Sequence, residues 1–114
     1  VVAGELERNC VETEILHVGH KDLHGCIGCY KCKELGRCVF DKDLVNETAR
    51  KFQEADGLVI GAPVYYAGPA ATVTAFLDRL FFSTPFSKRM KVGAAVASAR
   101  RAGTIATLDL LNIV

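Results

Sequence analysis

The chain has 114 residues, of which 50% are hydrophobic and 24% are charged, and its formal net charge is +1. This length suits one domain over residues 1–114 whose core needs no disulfide or metal for support. The near-neutral charge argues against nucleic acid and membrane surfaces as partners. The sequence shows no leader pattern and no apolar run of about 18 residues, so we expect a cytoplasmic protein, where clustered cysteines usually serve metal binding or redox chemistry.

The first half of the chain predicts a helix, a strand, a long loop and a second helix. Residues 1–8 are typical of the end of a helix, and alternating apolar residues over 11–18 predict a moderately buried strand. A loop that carries four cysteines follows. Asp43 is a favourable N-cap residue for a helix over 44–55.

The second half of the chain predicts two strands that alternate with two helices. They are the strands over 58–62 and 92–97, and the helices over 70–82 and from Thr104 through Leu111. The run 58–62 has no polar residue, which favours a strand covered on both faces. Asp78 and Arg79 are expected to point away from the centre of their helix's apolar stripe. The alternation of strands and helices predicts an α/β fold with a parallel sheet.

Each of the three predicted strands is followed by a loop. In a parallel sheet such loops meet at the carboxyl edge, which is where ligands bind. We therefore expect residues 26–38, 63–69 and 98–103 to converge on one edge of the sheet. This topology predicts where a ligand binds but does not identify it.

Four cysteines with the spacing C-x2-C-x2-C-x5-C are candidate metal ligands. They are Cys26, Cys29, Cys32 and Cys38. Compact spacing of this kind suits one iron–sulfur cluster, and the alternatives are free or redox-active thiols and a zinc site. The fifth cysteine, Cys10, is expected to be a small buried residue. His17, His20 and His24 are expected to be ordinary polar residues rather than ligands of a mixed metal site.

The other two loops carry groups that suit a flat, charged cofactor. Tyr65 and Tyr66, with the backbone amides around Gly68, can stack on a heteroaromatic ring and hydrogen-bond its edge. The alternative is that both rings simply cover the core. Arg100 and Arg101 can bind phosphate or stabilise an anionic ring, and the alternative is a solvated pair.

Three stretches of the sequence resemble the NADPH-dependent FMN reductases, which have a flavodoxin-like fold. They are C-I-G-C at 26–29 with Cys32 and Cys38, E-A-D-G-L-V-I-G-A-P-V-Y-Y at 54–66, and A-F-L-D-R at 75–79. The cysteine spacing is similar to that of the iron–sulfur flavoprotein branch of this family. The resemblance covers nearly the whole chain and implies a doubly wound, three-layer α/β fold with a parallel sheet in the order 2-1-3-4-5.

The resemblance also implies which residues bind cofactors. FMN would be contacted from two loops, by Pro63, Val64, Tyr65, Tyr66 and Gly68, and by Ser98, Arg100, Arg101 and Gly103. A [4Fe–4S] cluster would be held by Cys26, Cys29, Cys32 and Cys38. No side chain is expected to act as a catalytic acid or base, and Asp78 and Arg79 are expected to anchor the helix or a subunit interface.

The function implied by the resemblance is that of an FMN-dependent NAD(P)H oxidoreductase. Electrons would pass from a nicotinamide through the flavin to a small-molecule or protein acceptor, with or without the [4Fe–4S] cluster. The alternatives are a cluster-free NAD(P)H:quinone or flavin reductase, a flavodoxin-like electron carrier without NAD(P)H activity and, more distantly, a zinc-stabilised binding module. The resemblance implies a homo-oligomer, and the near-neutral charge leaves no reason to expect nucleic acid or a membrane as partner.

Two parts of the family pattern have no counterpart in the sequence. They are a first strand with a Gly/Ser-rich loop for the FMN phosphate and the last strand. The strand over 11–18 would then be the second strand of the family sheet, and the missing first strand would be central. Ala62 also stands where a serine is common. We therefore expect the 114-residue chain alone to bind FMN weakly or not at all and to be poorly stable, and isothermal titration tests the binding.

Overall fold

The computed structural model describes residues 1–112 of the protein, and these form helices and strands in alternation. The elements are α1 (Val2–Arg8), α2 (Cys32–Leu35), α3 (Val45–Glu54), β1 (Gly57–Pro63), α4 (Ala71–Ser83), β2 (Val92–Ser98) and α5 (Thr104–Asn112). The predicted helices and the two predicted strands of the second half are confirmed, with ends that differ by one or two residues. Within this part of the chain, none of the helices has the length and apolarity that crossing a membrane would require.

β1 and β2 form a parallel pair that is connected by α4. The register runs from Gly57 opposite Val92 to Pro63 opposite Ser98, so the two strands end level. Because α4 carries the chain from the carboxyl end of β1 back to the amino end of β2, it runs against the strands. The start of α4 therefore lies at the carboxyl edge of the sheet, and its last turn lies at the amino edge.

The core lies between this sheet and the helices α3, α4 and α5. One buried cluster joins Val45 of α3, Leu80 of α4, Leu111 of α5 and Ala62 of β1. Leu80 has no exposed surface, and burying a leucine side chain in this way stabilises the fold by about 2 kcal/mol. The helices pack on one face of the sheet.

The opposite face of the sheet is open in the described residues. Alternate residues of β1 face the core, whereas the Val59 side chain between them is 44% exposed. On β2, Val92 and Val96 are exposed as well. The prediction that the run 58–62 is covered on both faces is therefore wrong for residues 1–112, which form two of the three layers that the resemblance implies.

Residues 11–18 form no regular secondary structure, so the predicted strand is wrong. A strand needs a neighbour for its backbone hydrogen bonds, and residues 1–112 supply none beside this segment. A groove of about 410 Å³ separates its end, at Leu16 to Gly19, from Ile60 and Gly61 of β1. The groove lies where the resemblance puts the central strand of the family sheet.

The start of α3 is fixed by Asp43, although not in the predicted manner. The helix begins at Val45, and Leu44 occupies the N-cap position without a side-chain cap. The Oδ1 atom of Asp43 nevertheless accepts a hydrogen bond from the Val45 amide at 3.1 Å. Asp43 thus accepts a hydrogen bond from one of the free amides of the first turn, although it lies one residue before the N-cap position.

Candidate functional site

The loops after β1 and β2 meet at the carboxyl edge of the sheet, as predicted. The Val64 amide donates to the carbonyl oxygen of Ser98 at 2.8 Å. Val64 also forms an isolated antiparallel bridge with Pro69, which closes the loop 63–69 on itself. The ends of both strands and the loop 63–69 are thereby held together.

Gly103 brings the second loop into direct contact with the first. Its φ angle is +96°, and a Cβ atom placed there would lie 2.8 Å from Cγ1 of Val64 and 3.1 Å from Cα of Ala67. Only glycine combines this backbone angle with so close an approach. Ala67 itself has a φ angle of 57°, so both loops use left-handed backbone where they touch.

The groups that suit a flat cofactor are accessible at this edge. Tyr65 and Tyr66 are 80% and 96% exposed, and Arg100 and Arg101 are exposed on the second loop. Within residues 1–112, the amides of 66–68 donate to no acceptor. Free amides, aromatic faces and cations fit the polar edge, flat ring and negative charge of FMN. Binding of FMN by Pro63, Val64, Gly68 and the other residues of these two loops stays a prediction.

The cysteine loop, residues 26–38, does not join these two loops, so the predicted convergence of three loops is wrong. It packs on the last turn of α4, where the Cys32 thiol donates to the Phe82 carbonyl oxygen at 3.8 Å. The Tyr30 ring meets the Phe82 ring edge-on, with 5.6 Å between centroids. The 13 residues of α4 span roughly 20 Å. The rule for carboxyl edges fails here because the segment before the loop is not a strand of the sheet.

The cysteine loop is wound by residues in the left-handed backbone region. Gly28, Tyr30 and Gly36 have φ angles of 63°, 58° and 66°. Gly36 ends the short helix α2, and its amide donates to the Cys32 carbonyl oxygen, as glycine commonly does after a helix. Tyr30 adopts this conformation at a cost of about 1 kcal/mol or more, which its contact with Phe82 offsets.

All four cysteines of the loop border one small cavity. Its other lining residues include Tyr30, Phe40, Arg79, Phe82 and Ser83. Cys38 is buried, Cys32 is half-buried, and Cys26 and Cys29 are exposed. As the side chains are placed, no three His, Cys, Asp or Glu residues within 1–112 form a group that could hold one metal ion. The chemistry of the four thiols fits an iron–sulfur cluster, and their role as its ligands stays a prediction.

The fifth cysteine and the three histidines lie outside the cysteine loop. Cys10 is exposed and has a φ angle of 61°, so its predicted burial is wrong. His24 stacks on the Phe40 ring with 4.2 Å between centroids. None of the three histidines joins a metal-binding group in the described part of the chain.

Arg79 is buried at the base of the cysteine loop, so the prediction that it points away from the core is wrong. Its side chain is 1% exposed, whereas Asp78 is exposed as predicted. All five guanidinium N–H groups donate hydrogen bonds: to Sγ of Cys38 at 3.2 Å, the carbonyl oxygens of His24 at 3.0 Å and Phe40 at 2.9 Å, and both carboxylate oxygens of Asp43. Arg79 therefore ties both ends of the loop to α4.

Asp43 compensates the charge of Arg79 in this buried place. Burial alone would lower the pKa of Arg79, but its hydrogen bonds to Asp43 and Cys38 raise that pKa above its usual value. The two oxygens of Asp43 meet NH1 and NH2 side by side, which is the strong bidentate arrangement. The guanidinium that faces the sulfur of Cys38 is therefore both charged and fixed in orientation.

Asn46 of α3 holds the backbone of Cys38. The Asn46 side-chain oxygen accepts from the Cys38 amide at 2.9 Å, and its nitrogen donates to the Cys38 carbonyl oxygen at 2.9 Å. Cys38 is thus fixed at its backbone by α3 and at its sulfur by α4. It is the most constrained of the four thiols.

Sequence reasoning missed Arg79, Asn46 and Ser83 as parts of this site. Arg79 and Asn46 gave no usable signal, because charged and amide side chains on a helix usually face solvent. Ser83 did give one, since it continues the apolar stripe of α4 at the spacing of Phe76 and Leu80. A serine in such a place is a buried hydroxyl that needs a partner.

Comparison with known proteins identifies the family. A model of the family described as NADPH-dependent FMN reductase matches residues 1–114. An iron-sulfur flavoprotein of Methanocaldococcus jannaschii is 40% identical over 108 residues, which cover 90% of this chain and 54% of that protein. One of Methanosarcina thermophila is 31% identical over 105 residues, covering 89% and 54%. One of Archaeoglobus fulgidus is 36% identical over 76 residues, covering 67% and 34%.

The matches do not extend over the whole of these relatives. The chain spans about half the length of the first of them, and about a third of the Archaeoglobus fulgidus protein. No solved structure matches the chain significantly. The family model, by contrast, covers the sequence from end to end. The chain therefore belongs to the NADPH-dependent FMN reductase family.

Proposed function

We propose that the protein to which this chain belongs is an FMN-dependent NAD(P)H oxidoreductase that also carries a [4Fe–4S] cluster. One observation carries the cluster: Cys26, Cys29, Cys32 and Cys38 all border a single cavity. Four thiols around one space are the donor set that an iron–sulfur cluster requires. The family supports the flavin, and relatives named iron-sulfur flavoproteins support the cluster.

The proposed roles of the residues are binding and orientation. When bound, FMN would supply hydride acceptance from a nicotinamide and release of electrons singly or in pairs, and a cluster would supply single-electron transfer. Tyr65 and Tyr66 would cover the ring, and the amides of 66–68 would bind its polar edge. Arg100 and Arg101 would offset negative charge there. No proton has to be moved by a side chain at this edge.

The partners and the location belong to the same proposal. The electron donor is NADH or NADPH, and the acceptor is a small molecule or a protein. Exposed apolar side chains around the cysteine loop, Ile27 at 59%, Leu35 at 51% and Phe82 at 41%, support a homo-oligomer, because such patches mark contact surfaces. Light scattering of the full-length protein tests this. Five free thiols support a reducing, cytoplasmic location.

The decisive experiment is a spectrum and an iron and sulfide analysis of full-length protein purified without oxygen. We expect flavin bands, broad absorbance that bleaches with dithionite, and near-equal iron and sulfide. Cys29→Ser should lose the iron, whereas Cys10→Ser, the control at the exposed cysteine outside the loop, should keep it. A yellow, iron-free protein would reduce the proposal to a cluster-free reductase.

The NAD(P)H part of the proposal needs its own assay. NADPH and NADH are mixed with the full-length protein and a quinone or free flavin, and nicotinamide oxidation is followed. We expect turnover with at least one nicotinamide. A flavin that is reduced by dithionite but by neither nicotinamide would identify an electron carrier instead.

A further inference from the structure

Helix α4 presents two buried polar side chains to the cysteine cavity, and the proposed function uses neither. Arg79 and Ser83 are four residues apart, so they lie on one face of the helix. Both line the cavity that the four cysteines border. Arg79 is 1% and Ser83 is 5% exposed. Their placement in a cavity of thiols requires an explanation.

Packing alone does not explain why an arginine is buried at position 79. Removing a guanidinium and a carboxylate from water costs more than burying apolar residues of the same size, so an ion pair such as Arg79–Asp43 is seldom the most stable choice. What the pair supplies instead is a fixed donor. Four of the five N–H groups hold oxygens that position the guanidinium, and the fifth, at Nε, holds the sulfur of Cys38.

The hydroxyl of Ser83 has the opposite character, because it has no partner. Its Oγ atom is buried, and no hydrogen-bond partner for it exists among residues 1–112. A buried hydroxyl without a partner destabilises a fold. Since Ser83 lines the cavity of the four thiols, an acceptor that enters this cavity can supply the missing partner.

We propose that Arg79 and Ser83 are the positioning residues of the iron–sulfur site: Arg79 holds the sulfur of Cys38 before assembly, and Ser83 donates its hydroxyl hydrogen to a sulfur of the bound cluster. Cys38 is then the fixed ligand, and the exposed Cys26 and Cys29 and the half-buried Cys32 would supply the other three thiols. Hydrogen bonds to sulfur stabilise the more negative, reduced cluster and raise its reduction potential. The identity of the bound group rests on the proposed function, whereas the contact between Arg79 and Cys38 does not.

The first test concerns Arg79 and needs no metal. Metal-free full-length protein is alkylated with iodoacetamide, and each cysteine is followed by mass spectrometry. Cys38 should react slowest because it is buried. Arg79→Gln should speed its alkylation by about tenfold or more, because loss of the charged hydrogen bond frees the sulfur to reach the reagent, and this gain in access outweighs the smaller thiolate fraction without the cation. The control Arg50→Gln, which removes an exposed arginine of α3 outside the cysteine loop, should leave this rate unchanged. Unchanged Cys38 alkylation in Arg79→Gln would overturn the role of Arg79.

Loss of folding could imitate this result, so a second variant accompanies the first. Asn46→Ala removes the hold on the Cys38 backbone but leaves the Arg79 contact with the sulfur. In cluster-loaded protein, Arg79→Gln should lower the reduction potential, whereas Asn46→Ala should leave it near that of the parent. Equal potentials in all three proteins would show that Arg79 is merely structural.

The second test concerns Ser83 and is insensitive to loss of stability. Ser83→Ala breaks no hydrogen bond in the metal-free protein, so its melting temperature should not fall. In cluster-loaded full-length protein the same change should lower the reduction potential, and the control Ser87→Ala at an exposed serine should not. An unchanged potential would overturn the role of Ser83. Protein that never takes up iron would refute the cluster and the role of Ser83 together, and the alkylation test would still decide that of Arg79.

Discussion

The contact between the two loops at the carboxyl edge predicts that Gly103 tolerates no side chain. We consider Gly103→Ala. The new Cβ would lie 2.8 Å from Cγ1 of Val64, 3.1 Å from Cα of Ala67 and 3.2 Å from its carbonyl carbon. Two of these neighbours are backbone atoms, so the loop 63–69 has to shift as a whole.

Two effects of Gly103→Ala lower the free energy of unfolding, and a third partly compensates for them. Alanine at a φ angle of +96° is strained by about 1–2 kcal/mol, and overpacking costs about 1–3 kcal/mol. The smaller entropy of the unfolded alanine chain returns about 0.4–1 kcal/mol. The net loss is roughly 1–4.5 kcal/mol, which lowers the melting temperature by on the order of 10 °C.

Urea unfolding followed by circular dichroism measures this loss, with Gly93→Ala as the control. Gly93 lies in β2 and has ordinary backbone angles, and a Cβ atom added there would meet no other atom within 4 Å. Its substitution should therefore change stability by less than about 0.5 kcal/mol. Gly103→Ala should also weaken FMN binding by full-length protein, because the loop that carries Tyr65 and Tyr66 moves. Equal stability of the two variants would refute the reasoning.

Three further predictions concern exposed or partly exposed contacts. Tyr66→Ala should leave stability within about 0.5 kcal/mol but weaken FMN binding by full-length protein about tenfold, the scale of one stacking contact, in a fluorescence titration. A hydrogen bond from Lys51 holds the pKa of Glu47 below its usual value. The ionised Glu47 therefore stabilises the fold at pH values above its unfolded pKa, and this contribution is lost as the pH falls through the folded pKa. Below about pH 5, the melting temperature of Glu47→Gln should depend less on pH than that of the parent protein. Lys91 donates to the Ala55 carbonyl oxygen after α3, so Lys91→Met should cost about 1–2 kcal/mol in urea unfolding.

Local patterns predicted the helices and the loops at the carboxyl edge well, because those features depend on neighbours in the sequence. The stripe of Val73, Phe76, Leu77 and Leu80 is buried as its spacing predicts. Pro63 ends β1, and the loop after it reaches the loop after β2 because parallel strands of equal register end level.

Features that depend on distant partners could not be predicted in this way. The alternation over 11–18 is a strand pattern, yet a strand forms only beside another strand. Arg79 is buried because groups at His24, Cys38, Phe40 and Asp43 surround it, at separations of 36 to 55 residues, and no pattern within α4 indicates them. The position of the cysteine loop is set by the same contacts.

The five hydrogen bonds of Arg79 also determine which part of the cysteine loop can unfold separately from the core. The backbone on both sides of the cysteine loop is tied to a helix that contributes Leu80 to the core, so the base of the loop cannot separate without breaking the buried ion pair. Amide protons at this base should then exchange with solvent only in the opening that also releases α4. Those at the tip, around the exposed residues Cys26 and Cys29, are free of this constraint. The loop therefore combines a base that belongs to the cooperative core with a tip that can rearrange around a ligand without unfolding anything else.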